Sequence, residues 1–247
     1  MLVLLPPSET KAAGGDGPPL RLDELSHPEL TPTRRKLVDA LVALAGDVPG
    51  SLRALGLSER QAAEVDRNAA LLDSPTAPAL ERYTGVLFDA LDITSLDAAQ
   101  RARADSRLAV ASALFGLARG TDRIPAYRLS AGSSLPGFGA LRGVWRPVLE
   151  PVLQGTGELV VDLRSGAYAA LARVPEAIAV RVLSEDSRGE RKVVSHHNKS
   201  HKGLLARALA AAEAEPGSLD DVLDVARDAG LRVEREGAGA LCVVVPR

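Results

Sequence analysis

The chain has 247 residues, 46% apolar and 25% charged, with a formal net charge of −2 and a pI near 6.1. This balance supports a packed core of small aliphatic side chains, because aromatics make up only 3%, and it excludes a strongly basic protein that coats nucleic acid indiscriminately. The single cysteine, Cys242, excludes an internal disulfide framework, and no run approaches the ~20 apolar residues of a membrane span.

The opening run Leu2-Val3-Leu4-Leu5 is continuously apolar, as in a strand buried on both faces, and Pro6-Pro7 stops it. The run is too short, and lacks the basic leader, for a secretion signal, so a cytoplasmic location without membrane contact is expected. Ser8-Glu9-Thr10-Lys11 then falls in a strand-end loop, and residues 13–19, rich in Gly and Pro, read as surface loop. Thr31-Pro32 reads as cap and first helical position of an amphipathic helix carrying Leu37, Leu41 and Leu44 and ending at Gly46. Ser58-Glu59-Arg60-Gln61 fits a capping box that starts a second helix, to about Leu72. Between them, Leu52-Arg53-Ala54-Leu55-Gly56-Leu57 suggests a helix-hairpin-helix-like element over about 33–72, its N–H groups open to a phosphate. An ordinary helical connection in which Gly56 supplies positive φ fits the same residues.

Residues 108–117 suit a buried strand or a short helix, and Trp145 sits on a helix that follows the glycine-rich 132–139 segment, as a packing anchor. A strand at 159–163 leads to a turn and helix start at Arg164-Ser165-Gly166-Ala167-Tyr168. An antiparallel hairpin at 177–183 and 190–194 delivers the chain to His196. Asn198 is a natural cap for a helix over 199–214. Ser218 starts a last helix closed by Gly230, and strand-like segments at 231–234 and 241–245 finish the chain, with Cys242 buried in the second. With no repeat and no long linker, one α+β (mixed α/β) domain over 1–247 is expected.

The segment Ser195-His196-His197-Asn198-Lys199-Ser200-His201-Lys202-Gly203 places hydroxyl, amide, imidazole and ammonium groups where a strand hands over to a helix. A helix start exposes unpaired N–H donors and a partial positive charge, and Lys199 and Lys202 reinforce that field. Residues 188–207 hold six Lys/Arg against one acidic residue, so an anionic partner is expected. His197 and His201 share a helical spacing seen in zinc sites, but Asn198 stands where HExxH has its glutamate and no third ligand is evident, so no metal or cofactor is expected. Phosphate-loop, dinucleotide and nucleophile-elbow signatures are absent. Ser165 lacks the first flanking glycine of an elbow, and Asp162 reads as a helix cap or as an orienter of a neighbouring lysine or histidine.

Six segments in order resemble the YaaA family, bacterial proteins associated with peroxide stress. Ser8-Glu9-Thr10-Lys11 is similar to that family's Ser-Pro-Ala-Lys-Thr-type loop, Gly85-Val86-Leu87-Phe88 to its Gly-Asp-Val-Tyr, and Ser112-Ala113-Leu114-Phe115-Gly116 to its Ser-Gly-Leu-Tyr-Gly. Tyr127-Arg128-Leu129 with Gly132 resembles its Tyr-Arg-Leu-x-x-Gly. Asp162-Leu163-Arg164-Ser165 with Tyr168 resembles its Asn-Leu-Ala-Ser-x-x-Tyr, and Lys199-Ser200-His201-Lys202-Gly203 its Lys-Lys-Ala-Arg-Gly. Val86, Asp162, Ser200 and Lys202 depart from the pattern, and the loss of a fixed arginine fork at Lys202 weakens bidentate phosphate recognition. The resemblance implies a central sheet among helices, a basic cleft, a helix-hairpin-helix, binding of duplex or distorted DNA under peroxide, and lowered free iron. Carried over by residue, the cleft draws on Lys11, Arg128, Ser165, Tyr168, Lys199 and Lys202, with Asn198 at the helix start and Gly56 on one DNA backbone.

Two functions follow as expectations. One is a DNA-binding protein of the peroxide stress response that protects DNA or aids its repair. The other is an enzyme acting on a small anionic or nucleotide-like substrate, with Lys11, Tyr127, Ser165 and Lys199 lining the pocket.

Overall fold

The computed structural model describes residues 1–193 and 198–246. Its elements are β1 (Leu2–Leu5), α1 (Thr31–Ala45), α2 (Val48–Leu55), α3 (Ala63–Ala69), β2 (Ala77–Pro78), α4 (Ala79–Arg82), α5 (Val86–Leu91), α6 (Ala98–Arg107), β3 (Leu108–Ser112), β4 (Gly116–Arg119), β5 (Arg123–Ile124), β6 (Ser134–Leu135) and β7 (Gly139–Ala140). There follow α7 (Leu141–Gln154), β8 (Val160–Asp162), α8 (Gly166–Ala169), β9 (Ile178–Glu185), β10 (Arg191–Val193), α9 (Asn198–Ala211), α10 (Leu219–Asp228), β11 (Val233–Arg235) and β12 (Ala240–Pro246).

Eight strands form one mixed sheet in the order β11-β12-β9-β8-β1-β3-β4, with β10 pairing β9. The β1–β3, β1–β8, β8–β9 and β9–β12 pairs are parallel; β3–β4, β9–β10 and β11–β12 are antiparallel. The apolar run Leu2–Leu5 is central because nothing in it needs water: all its residues are buried and it is flanked by strands on both sides. From β1 the chain passes to β3 on one side, and the later β8 joins the other side. The order of connection therefore reverses at β1, and the carboxyl ends beside it are the usual ligand position in such sheets.

Several boundaries moved. The first helix begins at Thr31 itself, so Pro32 is the second helical residue and the Thr31 hydroxyl donates to Leu22 O instead of capping. Residues 108–117 form neither a single strand nor a helix but the β3–β4 pair. Gly116 (φ +73°) turns the chain under the ring of Trp145, whose Nε1 donates to Ala113 O at 2.8 Å; Trp145 is fully buried, the expected packing anchor. Ser218 caps α10 by accepting from Asp221 N, and Gly230 has φ +80°, both as expected.

The 33–72 region holds three helices, not two, because α2 occupies the segment read as connection. Asp47 accepts from Gly50 N to cap α2, a signal overlooked beside Pro49. Gly56 closes α2 in the left-handed conformation (φ 65°), with open space where a Cβ would stand, so positive φ alone accounts for the glycine. After it, Gln61 Oε1 accepts from Ser58 N at 3.1 Å, and a short 3-10 turn precedes α3, which ends at Ala69, before the expected Leu72.

Candidate functional site

Three carboxyl ends meet beside β1. Leu4 pairs with Ala109 of β3 and with Asp162 of β8, so the segments that leave these strands, 6–11, 112–116 and 163–168, lie side by side.

Lys11 lies deepest. Its side chain is buried; Nζ donates to Ser8 O at 3.0 Å and Glu9 O at 3.5 Å and stands 4.2 Å from the centroid of the Tyr127 ring and 5.3 Å from that of Tyr83. Desolvation lowers its pKa to about 8; Glu9 and Glu64 oppose that fall, while Arg128 and Arg67 add to it. The ring faces favour the ammonium form, but burial outweighs them, so Lys11 gives up its proton more readily than an exposed lysine.

Beneath Lys11 runs a buried hydroxyl chain. The Tyr83 and Tyr127 hydroxyls are 2.8 Å apart and Tyr127 lies 2.7 Å from Ser112 Oγ, which in turn accepts from Leu114 N and Phe115 N. Burial pushes Tyr83 up to about 12 and raises Tyr127 and Tyr168 as well, so all three phenols stay protonated at neutral pH. Tyr168 is buried, and the charges of Glu9 and Arg128 act on it in opposite directions. The chain has three tyrosines, and every one stands here. Sequence reasoning placed Tyr127 and Tyr168 but missed Tyr83; the scarcity of aromatics was the available signal.

Arg128 is positioned by Asn68, which is buried: Asn68 Nδ2 donates to Arg128 O at 2.9 Å and Asn68 Oδ1 accepts from Arg128 N at 2.7 Å. The guanidinium reaches Glu9, whose Oε2 is 3.6 Å away. Ser8 Oγ, Thr10 Oγ1 and Thr84 Oγ1 form an exposed hydroxyl rim with separations of 3.0 and 3.2 Å along the chain of contacts, beside Gly85 at φ +99°. The loop after Lys11 is fastened by Arg82, a fully buried arginine that donates to Ala12 O, Gly14 O, Pro75 O and Ile124 O.

The far wall comes from β8 and α9. Arg164 chelates Asp162 through Nε at 2.9 Å and Nη2 at 2.8 Å, so Asp162 orients an arginine where a lysine or histidine was expected. Ser165 is exposed and precedes α8. Lys202 is buried, and its Nζ donates to Leu163 O at 2.9 Å and Arg164 O at 3.4 Å. Its pKa is lowered by burial against the pull of Asp162. Carbonyl oxygens thus answer the charge that had been read as a demand for an anion. Lys199, one turn earlier, is exposed. Asn198 is the first residue of α9, not its cap. Ser195, His196 and His197 lie outside the described residues, as does any pairing of His197 with His201; among the described residues no cluster of three or more His, Cys, Asp or Glu could hold a metal.

The basic excess over 188–207 is partly taken up by partners within the chain. Arg191 pairs with Glu185 and Glu234, Arg207 donates to Leu91 O and Asp92 O, and Lys202 is buried. Arg188, Lys192 and Lys199 remain exposed. Gly56 donates its N–H to Leu52 O and Arg53 O of its own helix.

The fold and site define a mixed α/β protein with a lysine–tyrosine centre at the reversal point of its sheet. The chain belongs to the family of the peroxide stress protein YaaA, whose model matches residues 1–236. It is 48% identical over 238 residues to a UPF0246 protein of Corynebacterium efficiens, covering 95% of each chain. A UPF0246 protein of Streptomyces coelicolor is 48% identical over 244 residues, 96% of this chain and 93% of that relative. One from Corynebacterium glutamicum is 47% identical over 238 residues, 95% of each. Among the described residues no helix is long and apolar enough to cross a membrane.

Proposed function

We propose that this peroxide stress family member works through a small anionic, nucleotide-like substrate bound at the carboxyl ends of β1, β3 and β8. The observation that carries the reading is the burial of Lys11 against Tyr127, with Arg128 and an exposed hydroxyl rim beside it. Two of the cations expected to grip DNA phosphates, Lys11 and Lys202, are buried and donate to backbone carbonyls, geometry that suits a recessed ligand better than a duplex backbone. A lysine tuned toward neutral pH by burial can also exchange a proton with what it binds.

Exposed Arg188, Lys192 and Lys199 favour a second reading, in which the surface beside α9 holds DNA. The two separate in one experiment. Thermal unfolding is followed with inorganic phosphate and nucleoside 5′-monophosphates, and in parallel duplex and bulged DNA are titrated across a salt series. A saturating small ligand at a hundredfold its Kd adds about 2.7 kcal/mol, a rise of roughly 5–11 °C for a chain of this size. No stabilisation by small anions, together with DNA affinity whose salt slope is about −0.9 per phosphate and flattens in Lys199→Ala, would replace the first reading by the second.

A further inference from the structure

We propose that Lys11 is an imine-forming amine and that its ligand is a small phosphorylated aldehyde. The inference rests on the anionic-substrate reading and names the chemistry of that ligand. Lys11 is an ammonium group without a carboxylate in hydrogen-bond reach among the described residues: its contacts are the carbonyls of Ser8 and Glu9 and the faces of Tyr127 and Tyr83. A neutral amine has two N–H bonds, and those two carbonyls accept both, leaving the nitrogen lone pair without a hydrogen-bond donor among the described residues. Lys202 is also buried and donates to two backbone carbonyls; what sets Lys11 apart is its place against the Tyr127 and Tyr83 rings, beside Arg128 and the hydroxyl rim.

The other groups at the mouth state the rest of the ligand. Arg128 is a planar donor whose Nη1 reaches the Glu9 carbonyl at 3.5 Å and the exposed Glu9 carboxylate at 3.6 Å, both long contacts, so a phosphate can compete for its guanidinium while the Glu9 side chain turns to solvent. The Ser8, Thr10 and Thr84 hydroxyls can exchange hydrogen bonds with one another for bonds to ligand hydroxyls. An anion with hydroxyls next to an amine nucleophile is a sugar phosphate in its open aldehyde form, free or at the abasic site of a DNA strand. In the step, the Lys11 nitrogen adds to the aldehyde carbon and one N–H proton passes to the former carbonyl oxygen. That oxygen leaves as water after taking a second proton, the nitrogen losing its remaining one, so that aldehyde plus amine gives imine plus water. Hydrolysis reverses it, and no oxidant or reductant is consumed.

The groups around Lys11 that set its charge are Glu9, Glu64, Arg128 and Arg67, with the rings of Tyr83 and Tyr127. A pKa near 8 leaves about a tenth of the amine neutral at pH 7. Adduct formation should therefore level off above pH 8 to 9, where an exposed lysine would still be gaining neutral form up to its ordinary pKa of about 10.4.

The test is reductive trapping. The full chain is incubated with 2-deoxyribose 5-phosphate, or with an oligonucleotide carrying one abasic site, in the presence of cyanoborohydride, and the mass and modified peptide are read. Only five lysines exist (Lys11, Lys36, Lys192, Lys199 and Lys202), so assignment is direct. One reduced adduct on Lys11, lost in Lys11→Met and levelling off with pH as above, supports the proposal; the arm that traps faster identifies the source. Adducts spread over Lys36, Lys192 and Lys199, or a Lys11 adduct rising without a plateau, overturn it. Stabilisation by the sugar phosphate without any Lys11 adduct overturns the imine while leaving the anion site standing. Loss of both removes the site reading itself.

Discussion

Gly203 sits inside α9, where replacing glycine by alanine ordinarily stabilises by about 1 kcal/mol. Here the same change should destabilise. A Cβ at Gly203 would press on the Leu87 carbonyl oxygen of α5 and lie 2.8 Å from Ala90 Cβ and 3.1 Å from Leu87 C. Carbon atoms prefer about 3.5–4.0 Å, so α5 and α9 must part by several tenths of an ångström or more. The obstacle is backbone, which cannot swing away as a side-chain tip would. Overpacking costs about 1–3 kcal/mol, and a backbone clash belongs at the upper end; after the propensity gain, a net loss of about 2 kcal/mol remains. For a chain of this length that is a fall in Tm of roughly 4–8 °C. Gly143 in the first turn of α7 is the control, since nothing lies within 4 Å of its Cβ position; Gly143→Ala should gain about 0.5–1 kcal/mol. Urea unfolding of both variants provides the comparison, and a Gly203→Ala protein as stable as wild type would refute the reasoning. Because Lys202 is the adjacent residue, the same variant should loosen its bond to Leu163 O and weaken ligand binding.

Other substitutions probe the site's supports. Arg82→Met removes the donors that hold Ala12 O, Gly14 O, Pro75 O and Ile124 O; buried carbonyls left without partners should cost about 3–5 kcal/mol, and limited proteolysis should cut first within residues 12–17. Tyr127→Phe deprives Tyr83 and Ser112 of a shared hydroxyl and should cost about 1–3 kcal/mol in urea unfolding. For Lys11, the folded state holds its proton less tightly than the unfolded chain, so between pH 8 and 10.5 the unfolded state binds more protons and stability rises with pH. The stability of wild type relative to Lys11→Met should therefore climb through that window and be flat below pH 7; a flat difference throughout means that Lys11 titrates normally.

Much of this architecture was legible because its signals are local. Leu2–Leu5, Ser218, Gly230 and the β9–β10 turn each combine a hydrophobic pattern with a stop signal, and each forms as read. Helix α2 was missed because residues 52–57 around Gly56 were read as the connection between two helices, although Pro49 and an Asp47 cap suit a first turn. The site residues Lys11, Arg128, Ser165, Tyr168, Lys199 and Lys202 were named from resemblance; the parallel register of β1, β3 and β8 sets the segments carrying Lys11, Ser165 and Tyr168 beside one another. Their exposure was not readable. Whether Lys202 faces solvent or two carbonyls depends on which turn of α9 meets the end of β8, a tertiary fact. For the same reason Asn68 and Arg82, which steady the site from distant segments, gave no sign in sequence, and Tyr83 only that of its rarity.

The three tyrosines provide the most direct measurement, since the chain has no others and all three stand at the site. With tyrosine selectively labelled, the ring resonances are followed by NMR while 2-deoxyribose 5-phosphate, or inorganic phosphate, is titrated in. A bound anion beside Arg128 and Lys11 should shift Tyr127 and Tyr168 saturably, with one dissociation constant shared by both signals. Saturable binding measured by calorimetry that leaves every tyrosine resonance in place would put the ligand elsewhere and contradict the account.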